Sequence, residues 1–511
     1  MTVQTRATSS DERYVRALAR GGTASVAGAA VSALGGFVVV LLVTRGYPAQ
    51  VAGTLFATTS LFLIVLTVAQ LGSEAGLPRW IPVKLASGQR TAALRAVLAA
   101  LVPSLGLSVL LAVVGLLAAP ALGPLLVDAS SVPLAVEQIR VLSLALPVAV
   151  VANTLLAATR GYGTMRPTVL ADRIGVTVLQ ALGVAVTIVV GADAGWLVVA
   201  WSVPYLVSLA VATTWLVRRV RRPAPRSRDD RTGAEVRREY WAFTAPRVGV
   251  SISQVVLRRA DVVLVSALLS AADAAVYTAA TRFVVVAGLG VLGIQQTLAP
   301  QLSRAFARGD HEQAQHLFLL ATAWMMFVSW PMYLVLTAAA PQLLVLFGPG
   351  YAVGAAVVAI GSAGMLYGTS AGAVDTALVM AGHSLLSLVN SLVVVVVNVA
   401  LNLLLIPRLG IVGAASAWAV SVLLRNVLAQ VQVRRLNRLR LYGRAAAWVA
   451  GVAVLAYGPL LAWAAVADPP PPLPPMVAAA GVATLIYLTV LWRVPSVYLP
   501  DLVTAARRRA P

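Results

Sequence analysis

Long apolar runs constrain this chain more than any other feature of its sequence. The runs follow one another across short gaps, and no segment longer than about 30 residues has the composition of a water-soluble unit, whereas a bilayer core takes about 20 apolar residues per helix. Hydrophobic residues make up 59% of the 511 positions and charged residues only 11%. The sequence therefore predicts an all-α polytopic membrane protein with about 14 transmembrane helices.

Basic residues lie mainly in every second gap between the apolar runs. The predicted spans are residues 23–44, 51–72, 94–119, 139–159, 169–190, 195–217, 248–269, 275–299, 316–338, 353–381, 384–406, 411–432, 445–466 and 476–493. Arg79 and Lys84, for example, follow span two, whereas Asp128 and Asp273 lie in odd-numbered gaps. Short loops rich in positive charge stay on the cytoplasmic side. Both termini and all even-numbered loops are therefore predicted to be cytoplasmic.

The choice of basic residue indicates a bacterial source. Lys84 is the only lysine, and the preference for arginine, together with the high content of Ala, Val and Leu, is typical of a GC-rich bacterial genome. The first apolar run is too long for the core of a signal peptide, so we expect an uncleaved first span. The predicted location is the bacterial cytoplasmic (inner) membrane.

The formal net charge of +21 does not by itself indicate which kind of partner the protein binds. In a soluble protein such a charge would indicate nucleic acid as a partner. Here the charge is spread through loops too short to hold a nucleic-acid-binding module, so anionic membrane lipids are the predicted partners and nucleic acid is not. The chain has no cysteine and three histidines, so we expect no metal site.

One basic segment divides the chain into its predicted parts. We expect a cytoplasmic N-terminal segment at 1–22, an N-lobe of six spans at 23–217, a basic cytoplasmic linker at 218–247 and a C-lobe of six spans at 248–433. The remaining residues, 434–511, are predicted to form two further spans and a basic tail. Two halves of six spans are typical of transporters built from repeats.

The loops leave little room for an enzyme. No HExxH or P-loop motif is present, and the predicted external loops are too short to fold into a catalytic domain. We therefore predict a transporter without a cofactor. Transport would be coupled to H⁺, Na⁺ or the membrane potential, since one charge crossing 100 mV is worth about 2.3 kcal/mol.

Charges inside the predicted spans are the best candidates for a site, because a charge at the bilayer centre costs about 3 kcal/mol unless it is paired or faces water. Arg258 and Asp261 lie three residues apart in span seven and can pair. Arg259 points elsewhere, and Arg282 in span eight lies at a similar predicted depth. Two guanidinium groups at one depth suit a phosphate, which arginine binds with a planar fork. The alternative is a buried Arg–Asp lock between the two spans.

Polar residues in other spans allow two interpretations. Asn398 lies on a stripe of span eleven with Ser387, Asn390 and Asn402, and Asn153 lies in span four. Such amides either bond neighbouring helices together, at about 0.6 kcal/mol each, or line a polar cavity. Asp375 is a lone acid in span ten. It either takes part in ion coupling or pairs with a neighbouring helix.

Two stretches of the chain resemble a known superfamily. The segment from Asn398 to Ala417, NVALNLLLIPRLGIVGAASA, is similar to the signature of the multidrug/oligosaccharidyl-lipid/polysaccharide (MOP) exporters, in which an Asn-containing helix ends at Ile-Pro and Gly-x-x-Gly-Ala-Ala opens the next. The residues from Arg259 to Val265 and from Ala274 to Phe283 resemble helices seven and eight of the polysaccharide-transporter branch. In total the resemblance covers most of residues 23–433.

The resemblance implies a fold and a branch of the superfamily. It implies two six-helix lobes in a V around a central cavity, alternating access, and, in members with two further C-terminal helices, a flippase for lipid II or for glycan repeat units. Drug exporters of the superfamily rely on acids in their lobes, whereas the flippases have a cationic cavity. Span one of this chain contains no acid and span seven is cationic. The chain therefore resembles the flippase branch.

We accordingly expect a flippase for a polyprenyl-pyrophosphate-linked oligosaccharide or polysaccharide repeat unit. Arg258, Arg259 and Arg282 would bind the pyrophosphate, and Asn153 and Asn398 would line the space for the sugars. A glycan polymerase or a glycosyltransferase is the expected protein partner. The alternatives are a MATE-like drug or cation antiporter of the same fold, a membrane glycosyltransferase or ligase, and a transporter-like scaffold for cell-wall assembly.

Overall fold

The computed structural model describes residues 9–220 and 232–493, with side chains from residue 28 onward, and every regular element in these ranges is helical. The first eight residues of the predicted N-terminal segment, residues 221–231 of the predicted linker and the basic tail at 507–509 lie outside the described residues. Within the described part of the chain the predicted all-α fold is confirmed.

The helices are long and follow one another closely. Those before residue 221 are α1 (Ser9–Gly46), α2 (Ala49–Ala69), α3 (Ser73–Ala86), α4 (Arg90–Leu126), α5 (Val132–Gly161), α6 (Thr177–Val190), α7 (Ala194–Ser202) and α8 (Pro204–Val220). A π-helix, Thr168–Val176, leads into α6.

The helices after residue 232 begin with α9, which has 36 residues. They are α9 (Gly233–Leu268), α10 (Ala271–Ala287), α11 (Leu289–Ala307), α12 (His311–Ala338), α13 (Ala340–Leu344), α14 (Ala355–Ser370), α15 (Val374–Met380), α16 (Ser384–Leu409), α17 (Ile411–Leu436), α18 (Arg444–Val466) and α19 (Leu473–Trp492). Short 3₁₀ turns at Ala129–Ser131, Val345–Phe347 and Pro349–Gly354 complete the described elements.

The chain is a multi-pass membrane protein. Among the described residues, 12 helical segments are long and apolar enough to cross a bilayer, and α10 with α11, bent by 45°, brings the number to 13. The predicted span seven lies in α9, which is long enough but carries Arg258, Arg259 and Asp261. A total of fourteen crossings therefore stays a prediction, with α9 as the remaining candidate.

Large apolar side chains on the helix surfaces require lipid. Leu117 on α4 is 78% exposed and Leu485 on α19 is 65% exposed, and many other Leu and Val side chains are exposed on the same helices. In water, contiguous apolar surface of this kind would drive association. In a bilayer it faces lipid chains, and the helical backbone satisfies its own polar groups.

The chain divides into two compact units that do not coincide with the predicted lobes. Unit 1 contains Met1–Val39, Val65–Ala118 and Ile139–Val248, and unit 2 contains Val40–Ile64, Ala119–Gln138 and Gly249–Pro511. The ends of two N-terminal helical hairpins thus belong to unit 2. The two C-terminal spans also belong to it, because α18 and α19 pack on α12 through a cluster that includes Tyr457 and Tyr487.

Unit 1 includes a segment that the sequence assigned to the linker. Residues 233–247 form the start of α9, and Tyr240 there is fully buried against Trp80 of α3. Lys84 lies over the Trp80 ring and donates to Glu239 at 2.8 Å. Residues 233–247 of the predicted linker are therefore helical and pack on α3, whereas the division of the chain into lobes at this linker stays a prediction.

Contacts between loops inside each unit join two even-numbered loops or two odd-numbered loops. In unit 1, Lys84 after span two contacts Glu239 before span seven. In unit 2, Arg45 after span one donates to the carbonyl of Leu346 after span nine at 2.6 Å, and Gln315 after span eight donates to the carbonyl of Arg440 after span twelve at 2.9 Å. Each pair lies on one predicted side of the membrane. The contacts support the predicted alternation of the loops.

Two residues fix the start of α10 in unit 2. The amide of Ala271 donates to Oδ1 of Asp128 at 3.2 Å, at the positive end of the helix dipole. A hydrogen bond from Ser130 is the main reason why the pKa of Asp128 is held below its ordinary value. On α2, Gly53 lies so close to the same turn that a Cβ atom would overlap the carbonyl of Ala271.

We predict that Gly53→Ala lowers the stability of the purified protein by about 2 kcal/mol or more, because the methyl group meets backbone that cannot rotate away. Thermal unfolding in mild detergent measures the change. Gly106→Ala is the matched control, since open space surrounds that helical glycine. Equal melting temperatures for Gly53→Ala and the unmodified protein would contradict this packing.

Candidate functional site

A break in the chain between α14 and α15 positions one charged residue of the site. Gly372 has a left-handed φ of 80°. A Cβ atom there would overlap the hydroxyl of Thr322, so glycine is required both by the turn and by the close approach of α12. The break ends α14 and places Asp375 in the first turn of α15.

A cavity of about 360 Å³ lies beside this break, inside unit 2. Its polar lining residues are Arg258, Gln295, Thr369, Asp375, Thr376, Arg425 and Asn426, and its apolar ones include Met325, Met365 and Trp418. Helices α9, α11, α12, α14, α15 and α17 all contribute to the walls. The charged lining residues are two arginines and one aspartate, so the described lining carries a net charge of +1.

Asp375 is held by two partners. A guanidinium nitrogen of Arg425 (Nη2) lies 3.1 Å from Oδ2 of Asp375, and the hydroxyl of Ser387 donates to Oδ1 at 2.7 Å. The side chains of Arg425 and Asp375 are 44% and 36% exposed. The pair is therefore open to the cavity. Of the two interpretations of Asp375 from the sequence, pairing with a neighbouring helix is the one that this structure contains.

Arg258 reaches the cavity from the predicted span seven. Its side chain is exposed and its Nε donates to the carbonyl of Gln254, one turn earlier, at 3.0 Å. This bond within the helix orients the guanidinium along the surface of α9. The same helix carries Asp261 three residues later, in a different environment. An ion pair between Arg258 and Asp261 stays a prediction.

Asp261 lies in a buried polar cluster of unit 2 and is only 4% exposed. The hydroxyl of Tyr277 on α10 donates to its Oδ2 at 3.2 Å, and the amide of Asn402 on α16 donates to its Oδ1 at 2.8 Å. Asn402 also donates to Oδ1 of Asn398 at 3.2 Å. Each carboxyl oxygen of Asp261 therefore accepts a hydrogen bond from a neighbouring helix. The cluster ties α9, α10 and α16 together.

This cluster has unused capacity for hydrogen bonds. Nδ2 of Asn398 and Oδ1 of Asn402 are buried and have no hydrogen-bond partner among the described residues. Asn398 is fully buried and belongs to the cluster around Asp261, and its predicted contact with sugars stays a prediction.

The structure places the other predicted site residues outside the cavity lining. Arg259 is half-buried on α9, next to Arg258. Arg282 is half-buried on α10, and its Nε is buried without a hydrogen-bond partner in the described part of the protein. Asn153 is half-buried on α5 in unit 1. Their roles in binding stay predictions.

Sequence reasoning missed Arg425. It lies about 21 Å along α17 at the helical rise of 1.5 Å per residue, within the apolar run predicted as span twelve. That position was itself a signal, because a lone charge in a span needs a partner and Asp375 carries the opposite charge in span ten. Tyr277 was also missed as a partner of Asp261, since nothing in its local sequence indicates which helix it faces.

Comparison with known proteins identifies the class and then the family. The fold is that of the MOP superfamily of membrane transporters and flippases, as the resemblance in the sequence predicted. The profile of a family described as "Polysaccharide biosynthesis protein" matches residues 56–354, more than half of the chain. The chain belongs to this family. None of the curated proteins compared with it matches.

Solved structures of MOP superfamily proteins share this fold at low sequence identity. The lipid II flippase MurJ in an inward closed conformation is similar with a TM-score of 0.71 and 10% identity, covering 94% of this chain and 99% of MurJ. An inward-facing MATE family multidrug resistance transporter has a TM-score of 0.67 and 16% identity, covering 80% and 94%. A MOP transporter from Pyrococcus furiosus, whose pocket of reverse polarity suggests a different function, has a TM-score of 0.58 and 18% identity, covering 87% and 96%.

We predict that Asn402→Leu lowers the free energy of unfolding by about 2 kcal/mol, because the buried carboxyl group of Asp261 loses a donor. Denaturation in mild detergent measures it. Asn390→Leu is the matched control on the same helix, since Asn390 exchanges two hydrogen bonds with the neutral amide of Gln432. Asn390→Leu should lower the free energy of unfolding by less than Asn402→Leu does. An equal decrease would show that the hydrogen bond to Asp261 stabilises the protein no more than the bonds between two neutral amides.

Proposed function

We propose that the protein is a flippase that moves a polyprenyl-pyrophosphate-linked oligosaccharide or polysaccharide repeat unit across the bacterial cytoplasmic membrane by alternating access. The observation that carries the proposal is the cavity of unit 2, with its net positive charge and the guanidinium of Arg258 exposed in it. Membership of a polysaccharide biosynthesis family supports a glycan as the cargo.

The chemistry of the cavity favours a phosphate group over other ligands. Arginine presents parallel N–H donors that match phosphate oxygens, and charge-assisted hydrogen bonds of this kind are about twice as strong as neutral ones. A cavity of about 360 Å³ has the size of a small-ligand site, which fits a pyrophosphate and excludes a whole polyprenyl chain. In the proposed mechanism the lipid tail therefore stays in the bilayer while the head group enters the protein.

The remaining cavity groups suit the part of the head group next to the phosphates. Gln295, Thr369 and Asn426 offer amide and hydroxyl groups, and Trp418 offers an indole face in the same lining. Hydroxyl-rich sugars take such mixed contacts. We assign Arg259 and Arg282 to contacts with the pyrophosphate at a later stage of the transport cycle. We assign Asn153 to contacts with the sugars.

Coupling to an ion fits the buried cluster better than the cavity. Asp261, Asn398 and Asn402 bring a carboxyl group and amide oxygens together in a dry environment, and Oδ1 of Asn402 has no partner among the described residues. A carboxyl group can take up H⁺, and carboxylate and amide oxygens can bind a hard cation such as Na⁺. We propose that one of these ions, or the membrane potential, drives the cycle.

Two alternatives remain distinct from this proposal in what they predict. A drug or cation antiporter of the same fold would transport a cationic dye, and would lose that activity when Asp261 or Asp375 is changed. A membrane glycosyltransferase would transfer sugar from a lipid-linked donor. In our proposal the protein neither transports cationic dyes nor transfers sugars, and it uses no cofactor. The proposal does include interaction with a glycan polymerase or a glycosyltransferase and with anionic lipids.

We predict that Arg258→Gln slows flipping about tenfold or more, because the phosphate loses its bidentate partner in the cavity, worth at least about 1.4 kcal/mol. The measurement uses the full chain in proteoliposomes that contain a fluorescent undecaprenyl-pyrophosphate disaccharide. An impermeant quencher reports the fraction of probe that reaches the outer leaflet.

Arg408→Gln is the matched control, because Arg408 is exposed and donates to the carbonyl of Leu404 on its own helix. It should flip the probe at the normal rate. The proposal fails if the unmodified protein does not flip the probe but transports a cationic dye, or if Arg258→Gln flips the probe normally.

A further inference from the structure

The Arg425–Asp375 ion pair opens onto the cavity, yet the proposed binding of a phosphate leaves Asp375 without a role. An acidic side chain in an anion site repels the ligand. Nη2 of Arg425 lies 3.1 Å from Oδ2 of Asp375, and both side chains are more than a third exposed. A structural lock inside a membrane protein is expected to be buried, whereas this pair can exchange its partners.

We propose that Asp375 is a built-in counter-anion that occupies Arg425 in the empty cavity and gives way to the anionic head group of the substrate. This inference rests on the proposed function and adds two specificity-determining residues to it. The ligand class is a phosphate or pyrophosphate group attached to a lipid carrier. On binding, the phosphate oxygens take the place of Oδ2 of Asp375 beside Arg425. On release, the carboxylate returns.

The anchoring of Asp375 makes it a permanent competitor. Ser387 donates to its other carboxyl oxygen at 2.7 Å, and the left-handed turn at Gly372 fixes the start of its helix. A displaced carboxylate therefore stays close to the bound phosphate. The repulsion between them weakens binding, and a carrier needs moderate affinity because a substrate held too tightly is not released on the other side.

The net charge of the cavity lining also limits how tightly anions bind. Arg258, Arg425 and Asp375 sum to +1, enough to attract an anion into an apolar environment. Without Asp375 the sum would be +2, and small cytoplasmic anions such as inorganic phosphate would compete better with the substrate. The carboxylate thus selects against small anions that cannot displace it from Arg425.

The test measures binding of inorganic pyrophosphate to the purified full chain by calorimetry, alongside flipping of the fluorescent probe. Asp375→Asn should bind pyrophosphate about tenfold more tightly, equal to about 1.4 kcal/mol, and flip the probe more slowly. Arg425→Gln should bind about tenfold more weakly. Asp193→Asn and Arg408→Gln are the matched controls, because both residues are exposed and lie outside the cavity lining, and they should change neither quantity.

A double variant separates a counter-anion from a structural lock. In the background of Arg425→Gln, the gain from Asp375→Asn should shrink to about threefold or less, because Asp375 then has no cation to release. If the pair is a structural lock, Asp375→Asn alone should instead lower the stability of the protein and leave pyrophosphate binding unchanged or weaker.

A second variant keeps the test valid if Asp375→Asn folds poorly. The chain has no cysteine, so Asp375→Cys introduces a single reactive thiol. Binding should tighten on this substitution, weaken again when a negatively charged sulfonate reagent is attached to the thiol, and stay tight with a neutral reagent of similar size.

The outcomes distinguish this inference from the proposed function. If the unmodified protein binds pyrophosphate and Arg258→Gln weakens it, but neither change at Asp375 tightens it, the counter-anion role is overturned and the flippase proposal stands. If the unmodified protein neither binds pyrophosphate nor flips the probe, both are overturned.

Discussion

The cost of a charged group in an apolar membrane is the constraint on which the structure of unit 2 depends. A charge at the bilayer centre costs about 3 kcal/mol or more unless it has a partner or reaches water. Asp261 meets this condition with two hydrogen-bond donors, Asp375 with an arginine and a hydroxyl, and Arg258 by its exposure in a cavity. Each solution joins helices that are distant in the sequence, so satisfying the charges also assembles the site.

Breaks in the helices decide where these charges lie. Irregular backbone at membrane depth is tolerated only where protein or a water-filled cavity surrounds it. The left-handed turn at Gly372 is enclosed by α12 and lies at the cavity wall, and the 45° bend near Gly288 precedes the part of α11 that supplies Gln295. A straight helix through residue 372 would carry Asp375 to another face, away from Arg425 and Ser387.

Much of the fold could be predicted from the sequence, and less of the site. The apolar runs are local signals, and 12 to 13 of them form helical segments long and apolar enough to cross a membrane among the described residues. Arg425, Tyr277 and the helical start of α9 could not be predicted in the same way. A helix surrounded by lipid has little amphipathic pattern to show which face meets which neighbour, so partners such as Asp375 and Arg425, 50 residues apart, emerge only from the packing.

One helix connects the two polar regions of unit 2. Arg258 and Asp261 are three residues apart on α9, which places them about 60° apart around the helix axis at 3.6 residues per turn. The first faces the cavity and the second faces α10 and α16. A small rotation of α9 therefore alters both environments at once. In the proposed mechanism the same rigid element presents both groups, so an ion at Asp261 and an anion at Arg258 would need no chain of intermediates to be coupled. Each ligand would change the affinity for the other by the same factor.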